Sequence, residues 1–473
     1  MGTISTAFSV IQGALDADQA ALSVVANNVA NANTTGYTEE TPNWQENQPI
    51  TVNGISIGDG VTETGATSQR DRVLEERLDQ QQQLASASGT RLSALNQMQA
   101  LFTPDSGSSS SSAGDIGSDI TSFFDSFSSL ESDPTDNALR EDVLSAASTL
   151  AGDISNAAAS LNSQQAALDQ EASGVAGQVN ALTSSLAQLN QQIESSSPDA
   201  DAGTLEDQRQ QDLSQLSQLI GINQVTTEGN GLEITTTSGQ LLVSDGQSYQ
   251  LTTGTVNGVT DFFAGGTDIT SQLAQGGGEL GGYLTARDQD IPSALSSLDQ
   301  LAYSISTSVN AQNNSGTDLD GVTGSAADPL YIFNEPTQVA GSAAAMSVAM
   351  TDPNQIAAAG AGDGTGDNSN AVALANLGSQ AIVNGATPTN YYSNFVTTLG
   401  STVSEVQTEN TAQNASVTQL QTQNDALSSV NLNDEAAAMS TLESSYQAAS
   451  QVFTLLNTIM ASALNLGEET TVT

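Results

Sequence analysis

The chain has 473 residues, seven of them Arg and none Lys, His or Cys, against 53 Asp and Glu, for a net charge of −46. Without those three residue types it can build no Ser-His-Asp or Cys-His nucleophile, no ordinary zinc centre, no P-loop lysine and no Schiff base. So negative a chain is repelled by nucleic acid and by anionic lipid, and neither is expected as a partner.

The missing cations matter more than the acids. Charged residues make up 13% of the chain, against about 25% in ordinary globular domains. Gln, Asn, Ser and Thr fill the gap. Such a neutral polar coat suits an acidic external medium, and it equally suits a lineage with biased composition. The first residues, MGTISTAFSVIQGALDADQ, hold no basic segment and no long apolar run, so a cleaved signal peptide is not expected. Nor is there a run of about 18 apolar residues that would span a membrane.

In chain order, the first element is a helix. Ile4, Phe8, Ile11, Leu15, Asp18, Leu22, Val25 and Val29 recur at alternating steps of four and three, the spacing of a coiled-coil seam. Asp18 alone breaks the apolar stripe. The helix should stop in Asn31-Ala32-Asn33-Thr34-Thr35-Gly36, where Asn, Thr and Gly favour caps and turns. A second helical pattern covers 70–102. Arg70, Arg72 and Arg77 stand at its start, where Asp71, Glu75, Glu76 and Asp79 are their expected partners. Residues 107–114 form a serine-rich low-complexity loop.

A long helix is then predicted from about 134 to 194, opening on Asp133-Pro134. Its repeat runs Ile154, Leu161, Leu168, Val175, Leu182 and Leu189, seven apart. Such a helix is roughly 90 Å long. A helix at 204–220 follows. Between Ile222 and Phe263, short runs rich in Val, Ile, Leu and Thr alternate with Gly turns, which predicts a small β domain of hairpins.

The clusters GGGELGG (276–282) and GAGDGTG (360–366) read as loops or crossing turns, since neither has a phosphate-binding pattern. Asp318-Leu319-Asp320-Gly321 starts like a calcium loop, but no acid closes it. Further helices are predicted at 288–313 and 391–430. The last helix mirrors the first: Met439, Leu442, Tyr446, Ala449, Phe453, Leu456 and Met460 step three and four, after Asn433 as a candidate cap. Neither end helix can bury its stripe alone, so the two should pack on each other.

One segment exceeds what a helix end needs. Asn27, Asn28, Asn31 and Asn33 are followed by Thr35, Gly36 and Tyr37, so amides and an aromatic crowd a single turn. This stretch resembles the N-terminal signature of bacterial flagellar axial proteins. The start, MGTISTAFSVIQGALDADQAAL, is similar to that of the flagellar hook-associated protein 1 family. Further resemblance follows in order through Phe123-Phe124-Asp125, Leu205-Glu206-Asp207-Gln208-Arg209, Gly278-Glu279-Leu280-Gly281-Gly282-Tyr283-Leu284 and Val309-Asn310-Ala311-Gln312. It ends in Val430-Asn431-Leu432 and Tyr446-Gln447-Ala448, so it spans nearly the whole chain. Thr38-Glu39 departs from the family, which usually carries Arg shortly after Gly-Tyr.

The resemblance implies a structural, non-enzymatic protein exported unfolded through the flagellar type III channel and folded into a ring at the hook–filament junction. Implied partners are copies of itself, the hook protein, the second hook–filament junction protein and an export chaperone on the C-terminal helix. No cofactor or metal is expected. The fold class expected is mainly α: an elongated helical rod with terminal coiled-coil helices packed on each other and a small inserted β domain. The expected division is 1–36 with 431–473, 37–220 with 279–430, and the β domain at 221–278. Alternatives are another axial protein (hook, rod, second junction protein or flagellin) or a secreted coiled-coil adhesion protein. A glycan hydrolase using two carboxylates is a third.

Overall fold

The computed structural model describes residues 2–52, 55–103, 116–196, 202–227, 230–256 and 258–468. The serine-rich stretch 107–114 lies outside them. Helix α1 is Gly2–Asn31; strands β1 Glu40–Glu46, β2 Ile50–Val52, β3 Ile55–Ile57 and β4 Val61–Ser68 follow. Next come α2 Arg72–Phe102, α3 Ile116–Leu130, α4 Asn137–Ser196 and α5 Gly203–Leu219. Strands β5 Ile222–Thr226, β6 Leu232–Thr236, β7 Leu241–Ser244, β8 Gln247–Ser248, β9 Leu251–Val256, β10 Val259–Ala264 and β11 Thr267–Asp268 lead into α6 Thr270–Gly276. The chain finishes with α7 Gly278–Thr285, α8 Ile291–Ser315, α9 Ser342–Ala345, α10 Ser369–Leu377, α11 Pro388–Ser428 and α12 Leu432–Glu468. The fold is mainly α with small antiparallel sheets.

The chain forms two compact units. The first comprises Met1–Gln83, Gly177–Leu251 and Gln413–Thr473. In it α1 and α12 run antiparallel, with Phe8 against Phe453 towards one end and Asn28 against Glu435 at the other. Strands β1 and β4 pair antiparallel on α1, with a bulge opposite Asn43 and Trp44 that Gly65 permits at φ 109°. Gly13 lets this hairpin approach: a Cβ there would sit 2.9 Å from the Val61 carbonyl oxygen. Strands β5–β8 make a four-stranded antiparallel sheet in sequence order. Helix α4 holds this region by amides: Asn190 donates to the Leu232 carbonyl at 2.7 Å, and Asn180 exchanges two 2.8 Å bonds with the Leu251 backbone.

The second unit comprises Leu84–Ala176 and Thr252–Ala412. Its core is one continuous cluster of buried apolar side chains. The Phe123 ring meets those of Phe124, Phe127 and Phe333 at tilted or edge-to-face angles, with centroids 5.1 to 5.4 Å apart. Val143, Leu150, Ile154 and Leu161 of α4 and Leu298, Leu301 and Ile305 of α8 complete it. The connection after α8 has little regular structure, so helix amides satisfy its backbone. Asn310 accepts from the Phe333 N–H and donates to its carbonyl, at 2.9 and 2.8 Å. Asn313 donates to the Leu330 carbonyl at 2.7 Å and accepts from the Ala357 N–H at 2.9 Å. Buried backbone groups need such partners, and a neutral amide supplies both polarities at once.

Arginine anchors this unit at three points. Arg140 is 1% exposed and donates only to carbonyls: Pro134 twice, at 2.9 and 2.6 Å, and Ile356, Pro353 and Asn354 at 2.6, 3.3 and 3.3 Å. Burial lowers its pKa, while nearby Asp318 and Asp320 act the other way. Arg287 sits in a π turn at Ala286–Asp290 that points it inward to Asp169 at 2.6 Å and Asp288 at 2.7 Å. Arg91 makes a two-bond fork with Asp290 at 2.8 and 2.9 Å.

Strands β1–β4 occupy a stretch for which the sequence predicted no element, and three local readings are corrected. The long helix begins at Asn137, where the Asp136 carboxylate accepts from the Ala138 N–H at 2.7 Å, and Pro134 belongs to the preceding turn. The last helix is capped by Asn431, not Asn433: its side chain accepts from the Asn433 N–H at 3.1 Å. GGGELGG is mostly helix, and Gly282 is its close approach. A Cβ there would meet the Ala87 carbonyl oxygen at 2.6 Å and Thr90 Cβ at 2.7 Å, so α7 lies on the backbone of α2.

Candidate assembly site at the paired helices

The first and last helices form an incomplete core. Phe8 and Phe453 rings meet at 4.5 Å and 47°. On α1, Ala17, Ala21 and Val25 are buried, whereas Phe8, Ile11, Leu15, Asp18 and Leu22 are half-buried and Val29 is exposed. On α12, Met439, Leu442, Phe453, Leu456 and Met460 are half-buried and Tyr446 is exposed. A second ridge on α12, Val452, Leu455 and Ile459, is also exposed. Near the Phe8 end a cleft of about 510 Å³ opens between Ile4, Phe8 and Met460. A two-helix pair with apolar residues on several faces has more stripe than it can cover.

At the other end the polar segment closes into a hub. Asn28 is 1% exposed and uses its full hydrogen-bonding capacity. Its amide donates to the Glu40 carbonyl at 2.8 Å and to Glu435 Oε1 at 2.9 Å. Its oxygen accepts from the Tyr37 hydroxyl at 2.8 Å and the Glu40 N–H at 3.0 Å. Burial, then Glu40, Asp207 and Glu435, raise the Tyr37 pKa, so it stays a neutral donor. Burial also raises the Glu435 carboxyl, against the pull of the Asn28 bond.

The other members of the segment play smaller parts. Asn31 donates to Asn27 Oδ1 at 2.8 Å and to its carbonyl at 3.1 Å. Gly36 takes φ 81° in the turn, and Asn33 and Thr35 are exposed beside it.

Below the hub lies a charged node in which the expected Arg70–Glu75 pair stands at 3.8 Å, while the shorter contacts are ones that local sequence reasoning missed. Arg70 pairs with Asp207 and donates to the Glu206 carbonyl at 3.0 Å, while the Thr38 N–H donates to Asp207 Oδ2 at 3.2 Å. Arg72 pairs with Glu206 at 3.0 Å, and Arg209 donates to the Asn230 carbonyl at 2.6 Å. The main partners come from α5, more than a hundred residues away. Two acids of α2 are buried beside them. Glu75 is pushed up to about 7, chiefly by burial, with Arg70 opposing. Asp79 is pushed up to about 6 by burial, with bonds from Gln224 and Gln210 opposing.

Asp318 spends its carboxylate on its own turn, accepting from the Asp320 and Val322 N–H groups at 3.0 and 2.7 Å. Among the described residues no group of three His, Cys, Asp or Glu could hold a metal, and no helix is long and apolar enough to cross a membrane.

Comparison with known proteins agrees with this picture. Residues 95–327 match the family described as flagellar hook-associated protein FlgK helical domain, and residues 8–38 match the flagella basal body rod protein family. Flagellar hook-associated protein 1 of Salmonella typhimurium is 30% identical across 66% of this chain and 57% of its own length. The chain thus spans little more than half of that relative. The namesakes in Escherichia coli K12 and Bacillus subtilis are 24% and 28% identical, across 96% of this chain and 98% and 96% of theirs. The structure of the flagellar hook junction protein FlgK from Burkholderia pseudomallei superposes with a TM-score of 0.64 at 19% identity, covering 74% of this chain and 99% of that one. A mainly helical chain whose end helices pair beside a rod-protein signature is of the flagellar axial class. Within that class, it belongs to the flagellar hook-associated protein 1 family.

Proposed function

We propose that the chain is a structural component of the bacterial flagellum that forms the hook–filament junction. It passes through the flagellar type III channel, folds outside the cell, and joins copies of itself in a ring between the hook protein and the second hook–filament junction protein. During export a chaperone covers the C-terminal helix. One observation carries the reading: the α1–α12 pair leaves Val452, Leu455 and Ile459 exposed and most of its seam half-covered. The core around Phe123 is closed by comparison. Covering that stripe with neighbouring subunits removes apolar surface from water at about 25 cal/mol per Å². The assembling part is then 1–36 with 431–473.

Electron microscopy of a deletion strain tests this. Hooks without filaments, with filament protein shed to the medium, are expected. Normal filaments on the deletion strain overturn it.

A further inference from the structure

Six of the seven arginines are committed inside the chain. Arg70, Arg72, Arg91 and Arg287 are ion-paired, and Arg140 and Arg209 bind buried carbonyls. Arg77 is the exception. It is exposed, and among the described residues no carboxylate lies within 4.0 Å of it. The helix offers it nothing: positions three and four away are Val73, Leu74, Gln80 and Gln81, all neutral. The adjacent acid, Glu76, is held by Gln80 at 3.2 Å. Helix α2 turns Leu74, Glu75 and Asp79 inward and leaves Val73, 60% exposed, one turn before Arg77 on the outer face. In a chain with no lysine, a surface cation without an ion-pair partner among the described residues stands out.

We propose that Arg77, with Val73 beside it, docks on a carboxylate-bearing surface of a neighbouring copy of this chain. The inference rests on the assembly reading above and adds a lateral contact away from α1 and α12. Charge complementarity names the occupant. Each copy carries 53 acids against seven arginines, so adjoining copies repel unless a cation is set between them. A guanidinium matches a carboxylate by two parallel bonds, and the Val73 side chain excludes water beside it.

Two measurements test it, both on the full chain. Light scattering at low and high salt follows self-assembly of wild type, Arg77→Gln and Arg77→Glu, with thermal melting as the folding control. The expected result is an unchanged melt. The assembly threshold should rise about three- to tenfold for Arg77→Gln and further for Arg77→Glu, with the difference vanishing in high salt. Because the chain has no Cys, Arg77→Cys also takes a photocrosslinker at one position, and crosslinks between copies are expected in the assembled form. Variants that assemble like an assembling wild type, or crosslinks only within one copy, overturn this contact and leave the assembly reading intact. A wild type that stays monomeric overturns both.

Discussion

Asn28 and Glu435 stand 407 residues apart in the chain and share a 2.9 Å hydrogen bond in a buried site. Around it, one amide joins the end of α1, the turn to β1 and the start of α12. Replacing Asn28 with Ala leaves Glu435, the Tyr37 hydroxyl and the Glu40 N–H and carbonyl without their partner. Unsatisfied buried groups cost about 1–3 kcal/mol each, and water recovers part of that. A loss of roughly 3 kcal/mol is expected. Hydrogen exchange should show faster opening of α1 and α12, with the Phe123 core unchanged; uniform loss of protection contradicts a local hub.

Phe453→Asp addresses assembly rather than folding. It removes the ring that meets Phe8 and puts a carboxylate in the seam, at a cost of several kcal/mol unless protonated or paired. Export to the medium should persist while incorporation fails. Secretion and incorporation need separate assays, and filaments of normal number on this variant would refute a seam role.

The charged node makes stability depend on pH. Glu75 and Asp79 carry folded-state pKa values of about 7 and about 6, raised above their ordinary values by burial. A raised carboxyl favours the protonated, folded state. Its contribution is complete below the unfolded pKa, about 4, and is lost as pH climbs through about 6 to 7. Arg70, Arg72 and Asp207 face Glu75, while Gln210, Gln224 and Glu76 face Asp79. Denaturant melts should therefore show higher stability at pH 5 than at pH 8, by on the order of 1–3 kcal/mol. Glu75→Gln with Asp79→Asn should flatten the profile, and an unchanged slope in that double variant would place the sensor elsewhere.

Two glycines should respond oppositely to Ala. At Gly282 the new Cβ would overlap the α2 backbone, so overpacking should cost about 1–3 kcal/mol. At Gly174, in the middle of α4, nothing lies within 4 Å of the new Cβ, and Ala should stabilise by up to about 1 kcal/mol. Melting of the two variants side by side checks both signs.

The helices were legible because their apolar positions repeat every three and four residues, a signal carried by each segment alone. The β1–β4 ribbon was not. Its sequence, with Pro42, Asn43 and Trp44 facing Ala66, Gly65 and Glu63, lacks an apolar alternation, and its cover is the flank of α1. Arg70 and Arg72 were visible as a cluster, and local spacing found the Arg70–Glu75 pair at 3.8 Å, but the nearer partners, Asp207 and Glu206, come from α5. Among the amides, Asn28 could not be told from Asn27 or Asn33. Only the arrival of Glu40 and Glu435 makes it the buried one.

Pairing the first helix with the last also dictates a timetable. Any passage that releases the chain from one end leaves α1 or α12 waiting until the other has emerged. The closure joins residues at nearly the greatest separation the sequence permits, so its entropic cost must be met by elements already in place. The nearer contacts around Phe123 can form while the chain is still incomplete. The two end helices therefore close last, and whichever emerges first keeps its sticky face through the whole wait.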